Sequence, residues 1–278
     1  MSVSKSQVSV AELERKAREL RGRLIRLSSE HHAPHLGGGL SVMDILVACY
    51  WYKLNLDPLH PDDPNRDYFI LSKGHAAAAL YIVLAERGFF PKELLDTFNA
   101  DGGVLAEHPS RDTVPGIEAA TGSLGHGLSI GIGLALAAKI RQGSNRVYTV
   151  LSDGECNEGS VWEAAMLAPQ HNLDNLLTII DYNKWQATGR SQEVLRLESL
   201  RAKWDAFGWE TYEIDGHKMT ELLETLDQFP SQNKRPIAII AHTVKGKGVS
   251  FMENDNNWHY RIPTKEEVIT SHKELGLQ

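Results

Sequence analysis

The residues with the clearest chemical potential lie in two short turns, Ser152-Asp153-Gly154 and Asp181-Tyr182-Asn183-Lys184-Trp185, each placed just past an apolar run. The runs at 147–151 and 176–180 are continuously apolar or β-branched, the pattern of strands covered on both faces, and the stretch between them suits a helix. Two parallel strands joined by a helix end on the same edge of a sheet, where open α/β sheets bind their ligands. The Asp153 carboxylate, the Asn183 side-chain oxygen and a backbone carbonyl at Trp185 could there share one hard cation such as Mg2+. Two diphosphate oxygens and a water would complete the octahedron. Gly154, read as the start of a helix, offers an amide that a phosphate oxygen can approach without meeting a side chain, and a helix dipole there favours an anion.

The framework around these turns follows from periodicity. From 11 to 28 the spacing predicts an amphipathic helix with Leu13, Leu20, Leu24 and Leu27 inward, ended by a glycine-rich turn, His35-Leu36-Gly37-Gly38-Gly39. A second helix is predicted from Ser41 to about Leu54, with Asp44 in its first turn, before the Asp57-Pro58 and Asp63-Pro64 breakers. Then come a strand at 68–71, the polar turn Ser72-Lys73-Gly74-His75 and a helix from Ala76 to Arg87. Another helix is predicted over 122–142, whose many glycines imply close backbone approach. Beyond the two turns the pattern predicts a strand at 209–214, a helix near 219–229, a strand at 236–244 and a polar surface helix in the last twenty or so residues. Strands alternating with helices define a doubly wound α/β fold, a mostly parallel sheet with helices on both faces. With no repeat, low-complexity tract or linker, 1–278 reads as one domain.

Bulk properties narrow the function. The 278 residues are 42% hydrophobic, ample for a core, and Lys+Arg 29 against Asp+Glu 36 gives a net charge of −7. That balance argues against a nucleic-acid or anionic-membrane binder, so any phosphate must be met locally. Cys49 and Cys156 form neither a disulfide framework nor a zinc spacing and read as buried thiols of a reducing compartment. The polar start, Met1 to Ser9, has no export core, and the apolar stretch 128–140 is too short to span a bilayer. A cytoplasmic location is the expectation.

Several pieces of this chain, in order, resemble the N-terminal half of transketolase. They are His35-Leu36-Gly37-Gly38, Leu71-Ser72-Lys73-Gly74-His75-Ala76, Glu107-His108-Pro109, Pro115-Gly116-Ile117-Glu118, Thr121-Gly122-Ser123-Leu124-Gly125, the two turns above, and Lys245-Gly246-Lys247-Gly248 with Trp258-His259. The resemblance implies a thiamine diphosphate-binding fold with Mg2+ on Asp153, Asn183 and the Trp185 carbonyl, a place that Ca2+ or Mn2+ could also fill. It implies cofactor contacts from His75, Gly154, Lys245 and His259, and a backbone turn, Gly122-Ser123-Leu124, facing the aminopyrimidine. His35, His75, His108 and His259 match the histidines that surround the reactive carbon, where imidazoles hydrogen-bond a ketose and move protons near neutral pH. Glu158 matches a carboxylate that relays between two active sites across the interface of two subunits.

Full-length members continue into a pyrimidine-binding domain and a C-terminal domain. The resemblance therefore implies the N-terminal subunit of a split transketolase, with a C-terminal partner chain supplying the rest in an α2β2 assembly and sugar phosphates as substrates. Departures occur at Ser152, where the family usually has glycine, at Asp181-Tyr182, at Pro34, and at His126, where glutamine is common. The alternatives are a relative of 1-deoxyxylulose-5-phosphate synthase, a decarboxylating 2-oxoacid subunit, and a non-catalytic cofactor-binding regulatory subunit.

Overall fold

The computed structural model describes residues 8–277. Met1–Gln7, most of the polar start considered above, and Gln278 lie outside the described residues. The first helix, α1 (Val10–Glu30), opens on a reciprocal cap: Glu12 N donates to Ser9 Oγ at 3.3 Å, and the Glu12 carboxylate accepts from Ser9 N at 2.8 Å. Two orphan donors at the helix start are thereby satisfied. Leu13, Leu20, Leu24 and Leu27 are buried as their spacing predicts.

The glycine-rich run is not the turn that its composition suggests. It forms α2 (Leu36–Ser41), buried at every position. A Cβ on Gly37 would sit 2.9 Å from Lys245 Cγ, and one on Gly39 2.8 Å from Leu24 Cδ2. Tight packing here overrides glycine's poor helix propensity. The second predicted helix starts at Met43 rather than Ser41: α3 (Met43–Ala48) widens into a π turn over Cys49–Lys53.

Strand β1 (Tyr68–Leu71) leads through a 3-10 turn into α4 (Ala77–Arg87). The helix predicted from 122 begins only at Gly127, as α5 (Gly127–Ile140). Gly122 and Gly125 have φ of 129° and 82°, which keep 122–126 in a turn. Next come β2 (Val147–Ser152), α6 (Gly159–Gln170), β3 (Leu176–Tyr182), α7 (Ser191–Val194), α8 (Leu200–Ala206), β4 (Glu210–Asp215), α9 (Met219–Leu226), β5 (Ile237–His242) and α10 (Lys265–Glu274). The last helix is less peripheral than its polarity predicts: His272 Nε2 lies 3.1 Å from the Gly22 carbonyl oxygen, and Leu275 is buried.

The five strands pair in parallel in the order β1-β2-β3-β5-β4. Alternate residues enter two separate cores. Tyr148, Val150, Leu177, Ile179, Ile237 and Ile239 join the core formed with α1, α3, α4 and α9. Val147, Leu151, Leu176, Ile180, Ala238 and Ile240 join the one formed with α5, α6 and α8. Moving from β2 through β3 to β4 the chain advances in one direction, with α6 and α8 on one face; from β4 to β5 it turns back, and α9 covers the other. Right-handed crossovers require that switch of face. The strand-end turns at 72–75, 152–155, 182–185 and 243–245 thereby meet along one edge.

Candidate active site

At this edge a cavity of about 360 Å3 is lined by His35, His75, His108 and His259, by Gly122 and Leu124, by Ser152, Gly154 and Glu158, and by Asn183, Trp185, Gln186 and Lys245. Residues from separate segments thus share one wall, as the sequence predicts for most of them. Ser123 is exposed between Gly122 and Leu124 and is not part of the lining. Asp153 is fully buried behind Ser152 and Gly154.

The four histidines form a compact group. His35 is its hub, with ring centroids 5.4 Å from His75, 6.1 Å from His108 and 4.7 Å from His259. His35 holds a left-handed backbone, φ 67°, at the start of α2, and its N–H donates to the His259 carbonyl at 2.7 Å. A non-glycine residue in that region is strained and persists because its surroundings hold it. His108 is placed by close contact: a Cβ on Gly122 would come 2.4 Å from His108 Cδ2.

Burial pushes the His259 imidazole down to about 3, with the Lys245 ammonium adding to the effect. Burial also drives His75 far down, helped by Lys73, and lowers His35 despite the opposing carboxylate of Glu107, 3.2 Å away. Each shift favours the neutral ring, a hydrogen-bond partner rather than an imidazolium donor.

Opposite charges lie on either side of the strand-end turns. Burial raises the Asp153 carboxyl to about 7, against the bond from Ser191. Its Oδ2 accepts from Ser191 Oγ at 2.6 Å and Lys184 N at 3.0 Å, and its Oδ1 from Gly154 N at 3.1 Å. Burial lowers the Lys245 ammonium to about 8, with Lys73 contributing repulsion. Its Nζ reaches Asn256 Oδ1 at 2.7 Å and His259 Nδ1 at 3.2 Å. A desolvated carboxylate and a desolvated ammonium beside one cavity are both costly, and a bound cation and anion together would offset that cost.

Three buried polar atoms without partners belong to residues of the same lining: His35 Nδ1, Asn157 Oδ1 and Gln186 Nε2. Buried polar groups are ordinarily paired, so this wall is built for a polar guest. Asn183 Oδ1 accepts from Trp185 N at 3.1 Å. No group of three or more His, Cys, Asp or Glu side chains arranged for a metal occurs among the described residues. A cation here needs amide, carbonyl and guest oxygens besides Asp153. The donor set fits a magnesium diphosphate.

Gly154 opens only a 3-10 turn, Gly154–Asn157, and α6 begins at Gly159, so the helix-dipole support predicted at Gly154 is that of a single turn. Glu158 is the exposed N-cap residue of α6.

Sequence reasoning missed the supports beneath the cavity. Lys73 and Asp181 are a fully buried ion pair; Asp181 also accepts from Thr243 Oγ1 and, at 2.6 Å, from Ser41 Oγ, while Lys73 Nζ donates to the Gly38 carbonyl at 3.0 Å. Glu155, also buried, accepts from Ser72 Oγ, Ser152 N at 2.8 Å and Gly125 N at 3.1 Å, joining the ends of β1 and β2 to the 122–126 turn. Asp181 lies within one of the two chemical turns and Glu155 just past the other, but only the fold shows that both point inward.

Residues 20–278 match the family described as the transketolase, thiamine diphosphate binding domain. The chain belongs to that family. Among its relatives, one subunit of the apulose-4-phosphate transketolase of Phocaeicola vulgatus is 42% identical over 97% of this chain and 95% of its own length. The 6-deoxy-6-sulfo-D-fructose transketolase subunit SqwG of a Clostridium species is 44% identical over 84% of each. Among solved structures, the transketolase of Campylobacter jejuni superposes with a TM-score of 0.91 at 29% identity, over 97% of this chain but 43% of its own. The transketolase of Pichia stipitis in complex with sedoheptulose 7-phosphate gives 0.88 at 27% identity, over 95% of this chain and 41% of its own. The chain therefore spans less than half of those enzymes.

Proposed function

We propose that this chain is the diphosphate-binding subunit of a two-chain transketolase, which with a C-terminal partner moves a two-carbon glycolaldehyde unit from a ketose phosphate to an aldose phosphate. The observation that carries this reading is the presence of a buried carboxylate, Asp153, and a buried ammonium, Lys245, at one cavity lined by four histidines. Family membership supports thiamine diphosphate as the guest, and relatives of similar length carry subunit names, which supports a partner chain; the assembly we propose is α2β2.

Asp153, Asn183 and the Trp185 carbonyl would hold Mg2+. Gly154 N–H, Lys245, His75 and His259 would meet the diphosphate, and the Gly122-Ser123-Leu124 turn the aminopyrimidine. When bound, the cofactor supplies the carbanion stabilisation that lets a bond next to a carbonyl break. This chain's own residues orient and handle protons. His35 and His108 would hydrogen-bond the sugar carbonyl and hydroxyls, and His259, held neutral, would add a further hydrogen bond to them. Glu158, exposed and among the cavity-lining residues, would be the carboxylate that reaches a neighbouring subunit.

Relatives of this length are named for apulose 4-phosphate and for 6-deoxy-6-sulfo-D-fructose, which favours a modified ketose as an additional donor. The deciding experiment assays the chain with Mg2+, thiamine diphosphate, ribose 5-phosphate and a panel of ketoses headed by xylulose 5-phosphate, alone and with the partner chain. Two-carbon transfer only from the mixture is the expected result, with a native mass containing both chains. Cofactor binding without transfer from any ketose would overturn the catalytic reading, and consumption of pyruvate would favour a decarboxylating enzyme.

A further inference from the structure

Ser191, the first residue of α7, is wholly buried, and its hydroxyl donates to Asp153 Oδ2 at 2.6 Å, a short charge-assisted bond. Lys184 N–H donates to the same oxygen at 3.0 Å. Oδ2 thus accepts from two donors, as many as it has lone pairs. Oδ1 meets only the N–H of the adjacent Gly154, at 3.1 Å, and keeps one lone pair for another partner. The donors are themselves fixed. Ser191 N–H donates to the Lys184 carbonyl at 3.1 Å, Trp185 and Arg190 form a bridge, and Gln186 N–H donates to the Gly189 carbonyl at 2.9 Å. Asn254 Oδ1 then accepts from both Trp185 Nε1, at 2.9 Å, and Arg190 Nη1, at 3.0 Å. Asn254 N–H in turn donates to the Lys245 carbonyl at 2.8 Å. The 184–191 loop is closed on itself and tied to the segment that carries Lys245.

We infer that Ser191 is a positioning residue that makes Asp153 a one-oxygen ligand and thereby sets which cation the site prefers. The inference rests on the magnesium diphosphate reading above. A carboxylate held by one oxygen cannot chelate through both. Mg2+ takes single oxygens in a tight octahedron, whereas Ca2+ accepts two-oxygen carboxylates and higher coordination numbers. Without the Ser191 hydroxyl, Oδ2 loses its shorter bond, the carboxylate can turn, and two-oxygen binding opens.

The test titrates the complex of this chain and its partner chain with Mg2+ and, separately, Ca2+ at fixed thiamine diphosphate, following heat of binding. For Ser191→Ala the Mg2+ dissociation constant should rise by about tenfold or more while Ca2+ binding suffers much less, so the Mg2+ to Ca2+ preference falls by about tenfold. Thermal unfolding of the same variant establishes that it folds. An unchanged preference in a folded variant, whether both cations weaken equally or neither does, overturns the inference and leaves the cofactor reading intact. A wild-type complex that binds neither cation overturns the cofactor reading itself.

Discussion

In the proposed reading Asp153 and Lys245 would divide the work of gripping a charged guest, and each makes its own prediction. Asp153→Ala should abolish metal-dependent cofactor retention, measured by equilibrium dialysis, whereas His108→Ala should leave retention within a few-fold and lower kcat by about 100-fold, the scale of a lost proton-handling group. Equal cofactor loss in both would contradict that division. Lys245 carries a pH dependence. Its ammonium, lowered to about 8 in the ligand-free protein, is the form that an anion favours, so binding raises its pKa. Affinity for thiamine diphosphate should fall as pH rises through about 8, and, because the Asp153 carboxyl is raised to about 7, metal-dependent affinity should fall again as pH drops below about 7. Lys245→Met should bind more weakly at pH 7 and lose the fall at high pH; an identical slope there in the variant would assign it elsewhere.

Among the elements, α5 shows why one composition can hold two kinds of glycine. A Cβ on Gly131 would lie 2.4 Å from Thr149 Cγ2 in β2, while one on Gly133 would meet nothing within 4 Å. Gly131→Ala should therefore destabilise the chain by about 1–3 kcal/mol through overpacking. Gly133→Ala should stabilise it by about 0.5–1 kcal/mol through helix propensity. Urea unfolding of the two variants checks both signs. The 122–142 stretch predicts one long helix because its small residues repeat without a break. The fold divides it at His126, since Gly122 and Gly125, with their positive φ, are needed where the turn meets His108 and Glu155. The strands were more legible: 147–151 and 176–180 fall within β2 and β3, because a strand buried on both faces needs an unbroken apolar run.

Across the whole molecule, α1, α3 and the segments that follow β4 and β5 are joined by a buried chain of bonds. Arg21 binds Asp44 at 3.1 and 2.6 Å, Asp44 Oδ2 accepts from His217 Nδ1 at 2.7 Å, and His217 Nε2 accepts from Val244 N–H at 2.8 Å. Burial alone would raise Asp44, but Arg21 and His217 outweigh it and hold the carboxyl at about 2. Because that folded value lies below the unfolded one of about 3.9, the stability it contributes is complete above about pH 4 and lost as pH falls through about 2. Asp44→Asn should be less stable at neutral pH, by on the order of 2 kcal/mol, and its stability should vary less between about pH 4 and 2 in urea titrations. A parallel curve for the variant would refute the assignment. The α/β order, the parallel sheet, the two strand-end turns and four of the histidines could be read from the chain before it was folded, since each depends on local periodicity or on residue types at fixed spacing. It took the folded molecule to show that the glycine run is a buried helix, that Lys73, Asp181, Glu155 and Ser191 brace the site from below, and that burial favours the neutral form of three imidazoles. Those properties come from contacts between segments far apart in the chain and from the loss of water around them, neither of which leaves a local pattern.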